Sequence, residues 1–316
     1  MKELFTRIAL AALIALAFAS LPALAQVTDD PVKVEMYKRF TDNRVPKPEV
    51  AYQAAKDYLQ KYSKDKDQYT DYLEKWTAAY DSDERKRNLP ILINQKNFTE
   101  AYRVGAEILA NEPGYLRAEI DLGYAGYLAA SNNNETHNAD ALAYARKAIR
   151  AIDSGKTPAD WAPFKGKDDT LAYLNYAAGF LTLKVNPDET ISALIRAAQY
   201  ESEIRRTPST FYFLAAAYES GPYKTMSAAY QAAYANKPET PQSKAALEKL
   251  NVVMDRIIDA YARAIATAGS NPNTEQSRKE WLAQMTNYYK FRHDGSDVGL
   301  IEFIATSIQK PLPPKP

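Results

Sequence analysis

The stretch that decides the fold is "AEIDLGYAGYLAA" (residues 118–130), followed after a polar break by "ADALAYARKAIRAID" (139–153). Alanine, leucine and tyrosine recur in it at steps of three and four residues, which is the spacing of one helix face. The first segment carries the small residue Gly123 on that face, and in the second Ala141 and Ala148 lie seven residues apart. Small residues placed in this way let two antiparallel helices approach closely. The stretch therefore predicts a tightly packed helix pair.

The same pattern recurs further along the chain. "NYAAGFLTL" (175–183) precedes "ETISALIRAAQY" (189–200), and "FYFLAAAYES" (211–220) precedes "MSAAYQAAYANKP" (226–238). The breaks between these segments are rich in proline, asparagine and glycine, which end helices. Alternating β-branched runs are missing, so the sequence predicts an all-α protein of roughly ten to twelve helices.

These repeated segments resemble the tetratricopeptide repeat, a helix-turn-helix family with a period of about 34 residues. The matching small and large residues are Leu122, Gly123, Ala141 and Ala148 in one unit, and Leu214, Ala215 and Tyr218 in another. Equivalent second-helix positions are Ala101, Ala141, Ile191, Ser227 and Ala260, at spacings of 40, 50, 36 and 33 residues. The resemblance implies a right-handed α-solenoid of antiparallel helix pairs over residues 48–270, with insertions near 131–138 and 156–169.

The two ends of the chain differ from this repeated region. Residues 26–47, which contain Pro31 and Pro46, predict an extended lead-in. Residues 271–310 predict a C-terminal helix pair. The proline-rich tail, residues 311–316, favours a polyproline-type extension. We expect this tail to be a free end, with a short docking arm as the alternative.

Residues 1–25 have the features of a secretory signal. Lys2 and Arg7 form a charged start, an apolar run follows, and Ala23–Ala25 supplies small residues for cleavage. The apolar run is shorter than the about 20 residues of a stable membrane span. We therefore expect cleavage after Ala25 and a periplasmic or secreted protein, with a retained anchor as the weaker alternative.

Composition narrows the range of partners. The 316-residue chain has no cysteine, so it forms neither disulfides nor thiolate metal sites. Its formal net charge is +1, and removal of residues 1–25 would bring it to zero. A near-neutral chain does not attract polyanions, so we expect no nucleic-acid partner.

The stretch "NYYKFRHDGSDVGL" (287–300) is the one most suggestive of catalysis or metal binding, because it holds His293, one of only two histidines. Lys290, Arg292 and His293 would lie in the last turn of a helix, where positive charges are favourable. Gly295 follows at the position where a glycine commonly ends a helix. Ser296 or Asp297 can then cap the next helix. The stretch therefore predicts a turn. Known catalytic and phosphate-binding motifs are missing, so we expect no catalytic residue, metal or cofactor.

The tyrosines suggest a recognition surface, because tyrosine combines a large contact area with a hydroxyl group. The repeat register implied by the resemblance turns one face of each first helix toward a concave groove. The implied groove residues are Arg117, Ile120, Tyr124, Tyr127, Tyr173, Tyr176, Phe180, Tyr212 and Glu219. Trp161 and Phe164, in the second insertion, form either a binding lip or a pin that holds the loop.

The sequence thus predicts an exported, non-catalytic scaffold that binds a peptide or protein partner in a tyrosine-rich groove. One alternative is a soluble protein that binds a glycan or small ligand, in a closed cavity lined by Tyr173, Tyr176 and Tyr212. A weaker one is an enzyme that uses carboxylates on an α/α scaffold. The oligomeric state is left open.

Overall fold

The computed structural model describes residues 30–316, so the predicted signal segment lies outside the described residues. Every regular element in residues 30–316 is helical and none is a β-strand, which confirms the predicted all-α class. Across the same range, no helix is both long enough and apolar enough to cross a bilayer. The chain divides into two compact units, with the boundary between Asn88 and Leu89.

The first unit contains α1 (Pro31–Asn43), α2 (Pro48–Tyr62) and most of α3 (Gln68–Asn94). Its core is aromatic, with ring centroids 5.0 Å apart in the Tyr37–Tyr69 pair and in the Phe40–Trp76 pair. Edge-to-face pairs of this kind add roughly 0.5–1.5 kcal/mol each beyond the area that they bury.

Helix α1 corrects the predicted extended lead-in over residues 26–47. The Asp30 carboxylate accepts hydrogen bonds from the backbone amides of Val32 and Lys33, at 2.9 and 3.3 Å, and so caps the helix. Pro31 occupies a first-turn position, where its missing N–H costs no hydrogen bond. The prolines therefore bound the helix, and the buried side chains of Tyr37 and Phe40 hold it on the core.

A buried lysine ties α1 to the start of α3. The Lys33 side chain is only 3% exposed, and its Nζ lies 2.6 Å from Asp65 Oδ2 and 2.6 Å from Asp67 Oδ2. Burial alone would lower the pKa of Lys33, but the two carboxylates outweigh it and the pKa is raised. Asp67 also caps α3, because its Oδ1 accepts from the backbone amides of Tyr69 and Thr70, at 3.0 and 2.9 Å.

The second unit begins at Leu89 and contains the end of α3 and ten further α-helices. They are α4 (Phe98–Asn111), α5 (Leu116–Ala130), α6 (Asn138–Asp153), α7 (Lys167–Thr182), α8 (Pro187–Gln199), α9 (Pro208–Tyr218), α10 (Lys224–Tyr234), α11 (Pro241–Ala268), α12 (Glu275–Arg292) and α13 (Leu300–Ser307). Neighbouring helices pack in pairs, most extensively α5 with α6 and α7 with α8.

The α5–α6 pair confirms the close approach predicted for residues 118–153. A Cβ atom added to Gly123 would lie 2.8 Å from the backbone nitrogen and Cα of Ala145, and one added to Gly126 would lie 2.0 Å from Ala141 Cβ. These contacts leave no space for any side chain larger than hydrogen. Both glycines are therefore required by the distance between the two helices.

The third predicted pair is different in the structure. Helix α9 packs against α11, whereas α10, which holds Ser227, contributes no buried residue. Residues 219–223 form a π-helix that joins α9 directly to α10, so the predicted break is absent and no turn folds α10 back onto α9. Helix α10 offers mainly alanine and tyrosine, whereas α11 buries large side chains such as Met254, Ile257 and Ile258. The repeat position assigned to Ser227 is wrong.

The predicted insertions overlap the loops at 131–137 and 154–166, and residues 271–310 contain α12 and α13, each of which packs against α11. The stretch after α12 is a turn, as predicted. Gly295 has a φ of +85°, and its amide donates to the Lys290 carbonyl at 2.8 Å. Neither Ser296 nor Asp297 caps α13, because that helix begins at Leu300 without a side-chain cap.

Candidate functional site

Aromatic side chains form a continuous series along one side of the first helices α5, α7 and α9. Tyr127 contacts both Tyr176 and Phe180, with ring centroids 5.1 and 5.2 Å apart, and Phe180 contacts Phe213 at 5.3 Å. Tyr124 lies edge-to-face on Tyr173 at 5.5 Å. Tyr124, Tyr127, Tyr173 and Phe180, which the repeat register assigned to the groove, all belong to this series, and each is partly exposed.

Two of the predicted groove residues face the core. Ile120 and Tyr176 are 2% and 3% exposed, and the Tyr176 hydroxyl is hydrogen-bonded to Ser209 Oγ at 2.8 Å. The neighbouring first helices lie close together, so these side chains fill the space between them. Glu219 is partly buried and accepts a hydrogen bond from the Tyr261 hydroxyl at 3.0 Å. The side chains of these three residues therefore make internal contacts.

A pocket lies beside the aromatic series, between the end of α3, helix α5 and the loop at 154–166. Its volume is about 250 Å³. Most of the lining is apolar, and a guanidinium and a carboxylate lie at one side. The lining residues are Pro90, Ile93, Asn94, Arg117, Asp121, Tyr124, Leu128, Ala162, Pro163 and Phe164.

Arg117 is held rigidly in the wall of this pocket. Its Nε lies 2.9 Å from each carboxylate oxygen of Asp121, one helical turn further along α5, and its Nη1 donates to Asp160 Oδ1 at 2.7 Å. Asp121 is 7% exposed, and burial raises its pKa to about 6 although Arg117 acts in the opposite direction. A guanidinium fixed by two carboxylates donates from a preorganised position.

The loop at 154–166 supplies the outer wall. Phe164 is 8% exposed and packs edge-to-face on Tyr124, with ring centroids 5.4 Å apart, so it both lines the pocket and pins the loop to the scaffold. Trp161 is partly buried and packs against the core cluster beneath the loop. Of the two lip residues that the sequence suggested, Phe164 lines the pocket and Trp161 supports the loop.

The remaining predicted groove residue lies elsewhere. Tyr212 stacks on Trp281, with ring centroids 5.3 Å apart and planes 23° apart, near the C-terminal helices. The closed cavity suggested for Tyr173, Tyr176 and Tyr212 is not this pocket, because none of the three belongs to its lining.

Most of the pocket wall has no recognisable signature in the sequence. Ile93 and Leu128 look like ordinary core residues, and Pro90 like a helix break. Asp121 could have been recognised, because an aspartate four residues after Arg117 in a largely apolar helix indicates a buried ion pair. The approach of the 154–166 loop to α5 is a long-range contact and has no local signature.

Within residues 30–316, no three histidine, cysteine, aspartate or glutamate side chains gather in a way that would hold a metal ion. No protein-family model matches the chain, and neither the curated proteins nor the solved structures contain a match. The resemblance to the tetratricopeptide repeat therefore stays a prediction.

Proposed function

We propose that this chain is an exported, tetratricopeptide-like right-handed solenoid that binds an extended segment of a partner protein. An apolar side chain of that segment enters the pocket between α5 and the 154–166 loop. The observation that carries the proposal is the combination of an apolar pocket and a fixed guanidinium at its edge. Paired helices that present aromatic rings on neighbouring first helices support the scaffold role.

The size of the pocket favours a side chain over a whole small molecule. Pockets for small ligands usually measure about 300–1,000 Å³, and this one measures about 250 Å³. A volume of this size suits one large aromatic or branched aliphatic side chain. Binding energy in protein interfaces is concentrated in such buried anchors.

The charges at the pocket edge favour a backbone carbonyl of the partner. Among residues 30–316, the hydrogen bonds of Arg117 involve Nε and Nη1, so Nη2 remains to donate to a ligand. Asp121 and Asp160 lie beside it and would repel a carboxylate. A neutral acceptor avoids this repulsion, so we expect an internal stretch of peptide and not a chain terminus.

Selection from a random-peptide display library tests the proposal. We expect the native protein to enrich peptides that share one aromatic or branched aliphatic residue. Leu128→Trp places an indole in the pocket, so its enrichment of the same peptides should fall at least about tenfold, as is usual for a lost anchor site. Sequencing of the selected pools measures the effect.

Leu142→Trp is the matched control, because Leu128 and Leu142 are both partly buried against the same core cluster and Leu142 does not line the pocket. This variant should enrich the same peptides as the native protein. Equal enrichment by Leu128→Trp and Leu142→Trp would contradict the proposal.

A further inference from the structure

The proline-rich tail is not a free end, which corrects the expectation from the sequence. Its backbone lies against α11, where Arg263 Nη2 donates to the Pro311 carbonyl at 2.9 Å and Arg256 Nε donates to the Pro314 carbonyl at 3.0 Å. The tail is neither helix nor strand, so these carbonyls have no partner in regular secondary structure. The two arginines therefore hold the tail through its backbone.

The spacing of these bonds matches a polyproline helix. Arg256 and Arg263 are seven residues apart on α11, which puts them on the same face with about 10.5 Å between them along the axis. A polyproline helix repeats every three residues and rises about 3.1 Å per residue, so carbonyls three residues apart lie on one side, about 9.3 Å apart. Pro311 and Pro314 have this separation in sequence. The arginine pair is thus complementary to one polyproline turn.

The Arg263 side chain is held in a fixed position on this surface. Its side chain is 5% exposed, and Asp259 holds its Nε at 2.7 Å. Asp259 Oδ1 also accepts from Nη2, at 3.3 Å, and the Pro311 carbonyl accepts from the same nitrogen at 2.9 Å, so Asp259 and the docked tail together satisfy the guanidinium.

Two side chains of the tail, those of Leu312 and Lys315, also contact the folded part of the chain. Leu312 packs against the cluster of Ala198, Phe211 and Ala264, against which the stacked rings of Tyr212 and Trp281 also pack. Lys315 Nζ lies 3.1 Å from Asp188 Oδ1 at the start of α8. The surface therefore contacts a leucine one residue after the first bonded carbonyl and a lysine three residues later.

We propose that this surface is a recognition site for a proline-rich segment of a partner protein with the pattern Pro-Leu-x-Pro-Lys, and that the chain's own tail occupies it in competition. It shares no residue with the pocket beside α5, so it is a second site. The preformed polyproline conformation lowers the entropy cost of binding, and an aromatic-lined groove with backbone hydrogen bonds is the usual way to recognise it.

Competition by the tail sets the affinity for the partner. A segment attached by a short linker has an effective concentration of the order of millimolar. A free segment must displace it, so the native chain binds the partner more weakly than a chain whose tail is released. The tail thereby limits binding to partners present at high local concentration.

The test uses the full chain with a released tail, Leu312→Ser/Pro313→Gly/Pro314→Gly, and a fluorescent peptide with the sequence of residues 310–316. Fluorescence anisotropy should show saturable binding to this variant, at least about tenfold tighter than to the native chain. A peptide with serine for leucine should bind at least about fivefold more weakly, and so should the native peptide when Arg256→Gln is added to the variant.

Two results would overturn the proposal. One is the absence of saturable binding to a released-tail variant that has the same melting temperature as the native chain. The other is equal affinity of that variant for the leucine and serine peptides. If the released-tail variant does not fold, the native chain is titrated with up to about 10 mM peptide, which is enough to compete with the attached tail. Absence of binding in this titration would also overturn the proposal. Dimerisation of the native chain in place of peptide binding would assign the site to the tail of a second copy.

Discussion

Replacing Gly123 with leucine is expected to lower the free energy of unfolding of the second unit by about 3 kcal/mol, at the upper end of the usual cost of overpacking. The added Cβ would lie 2.8 Å from backbone atoms of Ala145. Backbone atoms cannot move aside by changing a rotamer, so α5 and α6 must separate and lose the packing between them. The higher helix propensity of leucine recovers only about 1 kcal/mol.

Ala143→Leu is the control for this prediction, since Ala143 lies on the exposed side of α6. It adds similar volume and should change the stability by no more than about 0.5 kcal/mol. Urea unfolding followed by circular dichroism measures both variants, and hydrogen exchange of the α5 and α6 amides locates the effect. A Gly123→Leu protein as stable as the Ala143→Leu protein would show that the two helices do not approach as described.

Asp67→Ala is expected to cost about 3 kcal/mol in the first unit. The substitution removes one of the two carboxylates that neutralise buried Lys33, and loss of a partner from a buried ion pair typically costs about 3–5 kcal/mol. It also removes the cap of α3, which contributes about 1 kcal/mol. Because Asp65 still pairs with Lys33, the total stays below the sum. Hydrogen exchange of the α1 and α2 amides reports the loss.

Asp67→Asn separates the two contributions, because its side-chain oxygen can still cap α3 while the charge is lost. We expect it to cost clearly less than Asp67→Ala. If the two variants were equally unstable, the ion pair with Lys33 would account for the whole effect and the cap would contribute nothing.

The same carboxylate predicts an acid-dependent loss of stability. Burial raises the pKa of Asp67, but Lys33 and the amide and hydroxyl of Thr70 lower it more, so the net pKa is lowered. A lowered pKa stabilises the fold above the unfolded value of about 3.9 and ceases to do so as the pH falls through the folded value. The Asp67→Asn protein should therefore lose less stability than the native protein on acidification below about pH 4.

The sequence was sufficient to predict the helix pairs whose spacing is regular. Gly123 lies on one face of α5, Ala141 and Ala148 lie seven residues apart on α6, and the packing depends only on these two adjacent helices. The pairing of α9 with α11 was missed because α10 lies between them in sequence and has a similar alanine-rich pattern. Only the large aliphatic residues of α11 distinguish it from α10, and burying them favours α11 as the partner of α9.

The candidate sites were predictable only in part. The repeat register suggested Tyr124 as a groove residue, and Phe164 was expected to be either part of a binding lip or a pin that holds the loop. The pocket itself depends on how far the 154–166 loop folds back over α5, which no local pattern encodes. The tail was recognised as a polyproline segment, but its docking depends on Arg256 and Arg263, which look like solvent-exposed charges in the sequence of α11.

We expect the pocket beside α5 to accept one apolar side chain of a peptide. We would measure the methyl NMR signals of Ile93 and Leu128 during titration with N-acetyl-L-phenylalaninamide, using N-acetylglycinamide as the control. The phenylalanine compound should shift both signals saturably, the glycine compound should not, and Leu128→Trp should abolish the shift at Ile93. Unchanged Ile93 and Leu128 signals with the phenylalanine compound, or equal shifts with both compounds, would contradict it.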